Sequence, residues 1–149
     1  MIASAESTDE VVTFRVGKQW FGLPVMAVQE VIDHQATARV PLARSCVAGL
    51  LNLRGQVVTA IDMHDRMEIP AAASESLMDV VVSDGGELFA LVVDEIGDVV
   101  AVPTHILERL PASLDCLWAR ICTGVVRMDH GLLALIDVAR LLDEPSTRP

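Results

Sequence analysis

A mainly β fold, built as small barrels or a sandwich rather than a parallel sheet, is what this sequence predicts. Three observations carry the prediction. Short runs of alternating or β-branched apolar residues recur along the whole chain, turn signals bearing glycine and aspartate separate them, and helical spacing is confined to two short stretches.

Taken in order, residues 11–16 put Val12, Phe14 and Val16 on one face of a strand and Thr13 and Arg15 on the other. Gly17-Lys18-Gln19 turns the chain, and residues 20–25 return. Val25, Val28 and Ile32 then fall on one helical stripe, which predicts a turn or two of helix after this hairpin. Residues 56–61 and 78–83 read as further strands, with the small and polar residues 71–76 as a loop between two halves. Asp84-Gly85-Gly86 is the strongest turn signal, because glycine reaches positive φ without steric penalty, and it joins residues 80–83 to the apolar run 88–93. Residues 99–102 add a short strand. Residues 124–128 and 132–136 flank Asp129-His130-Gly131 as a second hairpin. Asp137 is placed to cap a closing helix over 138–142, where Val138, Leu141 and Leu142 share a face. Residues 1–9 and 145–149 lack apolar periodicity and are expected to be flexible tails around a single domain, 10–144.

An internal echo divides the chain. Residues 17–25 resemble residues 85–93, and the run ending Ala60-Ile61-Asp62-Met63 resembles the one ending Leu135-Ile136-Asp137-Val138. This is either a repeat or the shared vocabulary of any two β hairpins.

Composition narrows the function classes. The 149 residues suffice for one globular domain or two small lobes sharing a core. Aromatics are 3% with no Tyr, so Val, Leu, Ile and Ala must carry the packing. The formal charge of -10 repels a phosphate backbone and anionic lipid headgroups, which argues against nucleic acid and a membrane surface as partners. No uncharged apolar run reaches the roughly 18 residues of a bilayer span, so no direct membrane insertion is expected. The first ten residues carry Glu6, Asp9 and Glu10 without the basic-then-apolar pattern of a secretion signal, and a cytoplasmic protein is expected. Cys46, Cys116 and Cys122, odd in number and without a Cys-x-x-Cys pair, read as small buried hydrophobes in a reducing compartment.

The most informative stretch is residues 47–66. Asn52 and Arg54 interrupt its apolar residues just before a strand, and Gly55 permits a sharp bend. An arginine at the mouth of a strand serves either as a donor to backbone carbonyls or as an anchor for a partner, and both readings stand here. Asp62, His64 and Asp65 offer possible metal ligands, with His34, His105 and His130 elsewhere. Metal sites need three or four convergent ligands, however, and no second cluster has ligand spacing. Nor is there a Gly-x-Ser-x-Gly elbow or a phosphate-cradling loop. An enzyme is therefore disfavoured, and a small-ligand-binding β-barrel is the remaining alternative from a different class.

Gly49-Leu50-Leu51-Asn52-Leu53-Arg54-Gly55, followed by an apolar strand and Ile61-Asp62-Met63, resembles the CheW coupling proteins of bacterial chemosensory systems. Phe21-Gly22-Leu23-Pro24-Val25, Val28-Gln29-Glu30-Val31-Ile32, Leu91-Val92-Val93-Asp94, Gly97-Asp98-Val99 and Leu135-Ile136-Asp137-Val138 also fit, so the resemblance spans about residues 11–142. It implies two small five-stranded, Src-homology-3-like β-barrels around a shared apolar core, with short helices including a C-terminal one. It also implies a non-enzymatic adaptor without metal or cofactor. One surface would dock the regulatory domain of a CheA-type histidine kinase, and another the cytoplasmic tip of a methyl-accepting chemoreceptor, at the periphery of the inner membrane through receptor arrays. The receptor-facing positions carry over as Arg54, Val28 and Glu30, with Asn52 and Gly55 supporting the motif. The kinase-facing surface matches no compact motif. Thr59 stands where many relatives have Pro, and Met63-His64-Asp65-Arg66 departs from a Leu-Arg-rich ending. An accessory or competing adaptor of a non-flagellar pathway is the alternative within the same family.

Overall fold

Residues 8–41, 43, 45–70, 76–103, 107–110, 116–129 and 131–143 are described by a computed structural model of the protein. The strands are β1 (Thr8–Val16), β2 (Gln19–Pro24), β3 (Val28–Asp33), β4 (Val47–Leu53), β5 (Gln56–Asp62), β6 (Met78–Asp84), β7 (Glu87–Val93), β8 (Glu95–Pro103), β9 (Cys122–Met128) and β10 (Gly131–Ile136). Three short helices join them: α1 (Met63–Arg66), α2 (Cys116–Ile121) and α3 (Val138–Leu142).

The strands form two five-stranded sheets of the same design. The first lobe has the order β8-β1-β2-β10-β9 and the second the order β3-β6-β7-β5-β4. Each is antiparallel except for one parallel pair, β2 with β10 and β7 with β5. Register shows how deep the likeness goes. Across the first lobe, Ile96 faces Phe14, Phe14 faces Phe21, Phe21 faces Ala134, Ala134 faces Val125, and Val125 bridges Glu108. Across the second, Val28 faces Val82, Val82 faces Phe89, Phe89 faces Thr59, Thr59 faces Leu50, and Leu50 bridges Ala38. In both lobes the chain beyond the first edge strand comes round to bridge the last strand, so each sheet curls into a small barrel-like unit. The two stretches that echo one another in sequence, around Phe21 and Phe89, occupy equivalent places in these rows. The echo is a structural repeat.

The echo extends to the helices. Asp62 ends β5 and Asp137 follows the equivalent strand β10, and each caps the helix after it. Asp62 accepts from the backbone N–H of His64 (3.0 Å) and Asp65 (3.4 Å), and Asp137 from that of Arg140 (3.2 Å).

Burial explains why the strands carry so many branched aliphatics. The first lobe encloses Val11, Val102, Val126, Leu133 and Leu135, and the second encloses Leu51, Leu53, Val58, Ala60, Val81, Ala90 and Val92. Between the lobes a third cluster joins Phe14 and Phe21 of the first to Val80, Val82 and Leu91 of the second, with Met63, Ile121 and Leu141 of the three helices. Strands such as β7, where Ala90, Leu91, Val92 and Val93 are all buried, therefore face a core on both sides.

Several expectations change. The stripe Val25, Val28, Ile32 is helical only over Val25–Ala27, a single 3-10 turn, after which the β-branched residues of Val28–Asp33 pair with β6. No strand was anticipated over Val47–Leu53, which forms β4. Strand β8 starts at Glu95, four residues before its predicted start. Thr8 and Asp9, assigned to the N-terminal tail, pair with Pro103 and Val102. The rest of that tail (1–7), the C-terminal tail (145–149) and most of the loop 71–76 lie outside the described residues.

Candidate interaction surface

The Asn-Leu-Arg-Gly stretch forms the turn between β4 and β5. Its amide geometry is local: the Asn52 side-chain oxygen accepts the N–H of Gly55 at 2.8 Å, mimicking a backbone turn. Gly55 has φ +88° and Arg54 has φ +52°, so an arginine occupies a left-handed conformation that disfavours side chains. The turn aims Arg54 outward, with 69% of its side chain exposed, and Nη2 donates to Oε2 of Glu30 on β3. This hydrogen bond, and then the opposite charge of Glu30, raise the already high pKa of the guanidinium. Glu30 thus orients one side of the planar fork and leaves other donors open to solvent.

Arg54 and Glu30, expected at the receptor-facing surface, are in direct contact although one stands on the β4–β5 turn and the other on β3. Val28 lies two residues before Glu30 on β3, half buried, and leans on the core between the lobes. Asn52 and Gly55 build the turn itself. The reading of Arg54 as a donor to its own carbonyls gives way to an exposed guanidinium paired with a carboxylate.

Sequence reasoning passed over two neighbours along the chain. Met26, in the 3-10 turn before Val28, is 91% exposed, and Val57, three residues after Arg54, is also exposed. The available signal was the large apolar side chain at the mouth of each strand.

The residues suggested as metal ligands do other work. Asp62 caps α1, His64 turns its ring to Asp94, and Nδ1 of His34 lies 2.7 Å from Oδ1 of the fully buried Asp79. His105 and His130 lie outside the described residues, among which no group of three metal-binding side chains converges. Cys46 and Cys122 are buried, and burial pushes the Cys122 thiol up to about 12, which leaves it protonated. The side chain of Cys116 is outside the described set. No helix among the described residues is long and apolar enough to cross a membrane. On the first lobe, a half-open hollow of about 400 Å³ is lined by Thr13, Trp20, Ile96, Gly97, Val100 and Leu133.

A two-lobed β module whose candidate site is an oriented surface arginine belongs to the class of binding scaffolds. The CheW-like domain family matches residues 10–146, and the chain belongs to that family. It is 27% identical to the chemotaxis protein CheW of Treponema pallidum, over 89% of this chain and 81% of the relative. To the chemotaxis protein CheW of Bacillus subtilis it is 24% identical, over 99% of this chain and 96% of the relative. Its fold matches the crystal structure of the scaffolding protein TtCheW from Thermoanaerobacter tengcongensis with a TM-score of 0.84 and 21% identity, covering 93% of this chain and 90% of that one. That solved relative is itself named a scaffolding protein.

Proposed function

We propose that the protein is a cytoplasmic adaptor that couples chemoreceptors to a CheA-type histidine kinase in bacterial chemosensory signalling. Its place is beside the inner membrane, held there by receptor arrays. Membership of the CheW-like family supports the reading, as do relatives that are themselves chemotaxis proteins. The observation that carries the docking site is Arg54, displayed on a strained turn and steered by Glu30 while most of its side chain faces solvent. An arginine so presented is an anchor for a partner's carboxylate or carbonyl groups, and Val28, two residues before its partner Glu30, is the apolar residue the family resemblance adds to this face. Two partners held weakly on separate faces gain through effective concentration, which suits an extended array.

The test measures binding of the purified chain to a receptor's cytoplasmic tip and, separately, to the kinase regulatory domain. Arg54→Ala is expected to fold normally, to weaken receptor binding by about 5- to 100-fold, and to leave kinase binding unchanged. A folded Arg54→Ala protein that captures the receptor as well as the parent would falsify the assignment of this face. A small molecule retained in native mass spectrometry, with neither partner captured, would instead favour a ligand-binding barrel.

A further inference from the structure

The matched rows of the two lobes place the hollow of the first lobe where the second lobe holds its Arg54–Glu30 pair. Two residues past Val28, at the head of the second row, stands Glu30, and two residues past Ile96, at the head of the first, stands Asp98. Both edge strands shift register at this point, so the two carboxylates occupy equivalent bulges. At the tail of the rows, Arg54 lies four residues past Leu50, and Asp129 four residues past Val125. Asp98 lines the hollow, as does Met128, the residue before Asp129.

These equivalent places carry opposite charge patterns. In the second lobe the chain supplies its own cation, since the Arg54 guanidinium donates to Glu30. In the first lobe both positions are acidic, and Asp98 and Asp129 are exposed. The arginines of β1 and β9 are already engaged, Arg15 with Glu95 at 2.9 Å and Arg127 with Glu108 at 3.1 Å. Asp98 and Asp129 are therefore left without a cation among the described residues. The hollow, of about 400 Å³, adds an apolar wall of Trp20, Met128 and Leu133. Trp20 packs directly on the β8 backbone because Gly97 has no side chain: a Cβ there would stand 2.7 Å from the indole ring and 2.5 Å from Thr13 Oγ1. That hydroxyl donates to the Asp98 carbonyl at 2.7 Å, which pins the bulge and holds Asp98 at the rim of the hollow.

We propose that the mouth of the first lobe docks an arginine side chain of a partner protein, supplied in trans where the second lobe supplies Arg54 in cis. A guanidinium stacks on an aromatic face and bonds carboxylates through its planar fork, while its aliphatic stem is covered by apolar walls. The net charge of -10 favours the approach of a basic segment. The half-open shape suits a side chain projecting from a protein surface better than a fully enclosed small molecule. This face uses neither Arg54 nor Glu30, so it stands independently of the docking site proposed above.

The test is an NMR titration of the isotope-labelled chain, at low salt, with the blocked tripeptide Gly-Arg-Gly. The Gly97 amide and Trp20 indole signals are expected to move together and saturate. The same peptide with citrulline in place of arginine, which keeps the shape and removes the charge, should bind about tenfold more weakly. Asp98→Asn, a change at an exposed side chain, should weaken the arginine peptide by about 2- to 5-fold. Glu87→Gln, the same change of charge on an exposed residue of the second lobe, should leave binding unaltered. Signals of Gly97 and Trp20 that stay still, or equal binding of the arginine and citrulline peptides, would overturn the proposal. So would a loss for Glu87→Gln as large as that for Asp98→Asn, which would mean attraction by net charge alone. Guanidinium chloride that moves the same signals with the affinity of the peptide would make this a site for free cations and overturn docking of a side chain.

Discussion

The two lobes place equivalent residues in equivalent rows, yet they differ where each row meets solvent. In the second lobe the hairpin β4–β5 turns through Leu53-Arg54-Gly55, while in the first β9 ends at Met128 and β10 begins at Gly131. The second lobe's turn presents Arg54 to a carboxylate on its first edge strand, whereas in the first lobe the edge-strand carboxylate Glu95 is met by Arg15 from within β1. The first lobe instead carries Trp20 against Gly97, where a Cβ would stand 2.7 Å from the indole ring, beside its half-open hollow. The shared part is the barrel frame and its capped helix. What distinguishes the lobes is turn chemistry, so docking specificity can be altered without rebuilding the core.

The phenylalanines of the matched rows give the largest test of this comparison. Phe21 is fully buried, its ring 5.8 Å from Phe14 and 5.3 Å from Trp118 of α2. Phe89, its counterpart, is only half buried. Phe21→Ala is expected to cost about 3–5 kcal/mol in urea unfolding, the usual range for a buried aromatic. Phe89→Ala should cost less than half as much. Equal losses would mean that the lobes are packed alike and that α2 adds nothing to the first.

A subtler difference concerns the parallel strand pairs. Gly22 lies opposite Leu135 in the first lobe, and Ala90 opposite Ala60 in the second. The volume is divided unequally in one and equally in the other. A Cβ on Gly22 would stand 2.9 Å from Leu135 Cδ2 and 3.3 Å from Val11 Cγ2. Gly22→Ala is therefore expected to destabilise by about 1–2 kcal/mol through overpacking. In a Leu135→Ala background, which restores the pairing of the second lobe, the same change should be neutral or favourable. Additive effects of the two substitutions would break the equivalence.

Turn chemistry and strand alternation were readable in the sequence because both are local. Gly17, Gly85 and Gly131 each mark a hairpin, and all three adopt positive φ. The β3 strand was misread because Val25, Val28 and Ile32 happen to match helical spacing, although their β-branched character already favoured a strand. The β4 strand stayed hidden because Gly49 and Asn52 interrupt its apolar run. Gly49 has φ +152°, and a Cβ there would lie 2.6 Å from the Ala38 carbonyl that closes the second lobe. Arg54 and Glu30 could be singled out one by one, but their contact depends on folding. The buried Arg66 is a harder case, since its Nε donates at 2.7 Å to the Leu141 carbonyl of α3, far along the chain. His64 was grouped with its neighbour Asp62, whereas its partner Asp94 follows β7, the strand that pairs in parallel with β5 but is remote from it in sequence. Contacts across the repeat carry no local signal.

The smallest expected effect bears most directly on the difference between the lobes. Arg54 and Glu68 are the non-glycine residues with positive φ among those described, and a Cβ added to Gly55, which follows Arg54, would meet nothing within 4 Å. Nothing steric at the turn demands an arginine, and glycine would adopt its φ of +52° without strain. Arg54→Gly removes that strain and an exposed ion pair, and adds some chain entropy to the unfolded state. The net expectation is a melting temperature higher by about 1–3 °C. Receptor binding should fall as it does for Arg54→Ala. A more stable protein that binds less well would place the strain in the service of docking, as expected where a side chain must be displayed from a tight turn. If Arg54→Gly melts lower than the parent, the pair with Glu30 is holding the second lobe together. The arginine would then be part of the frame, and the contrast with the β9–β10 turn would be one of packing.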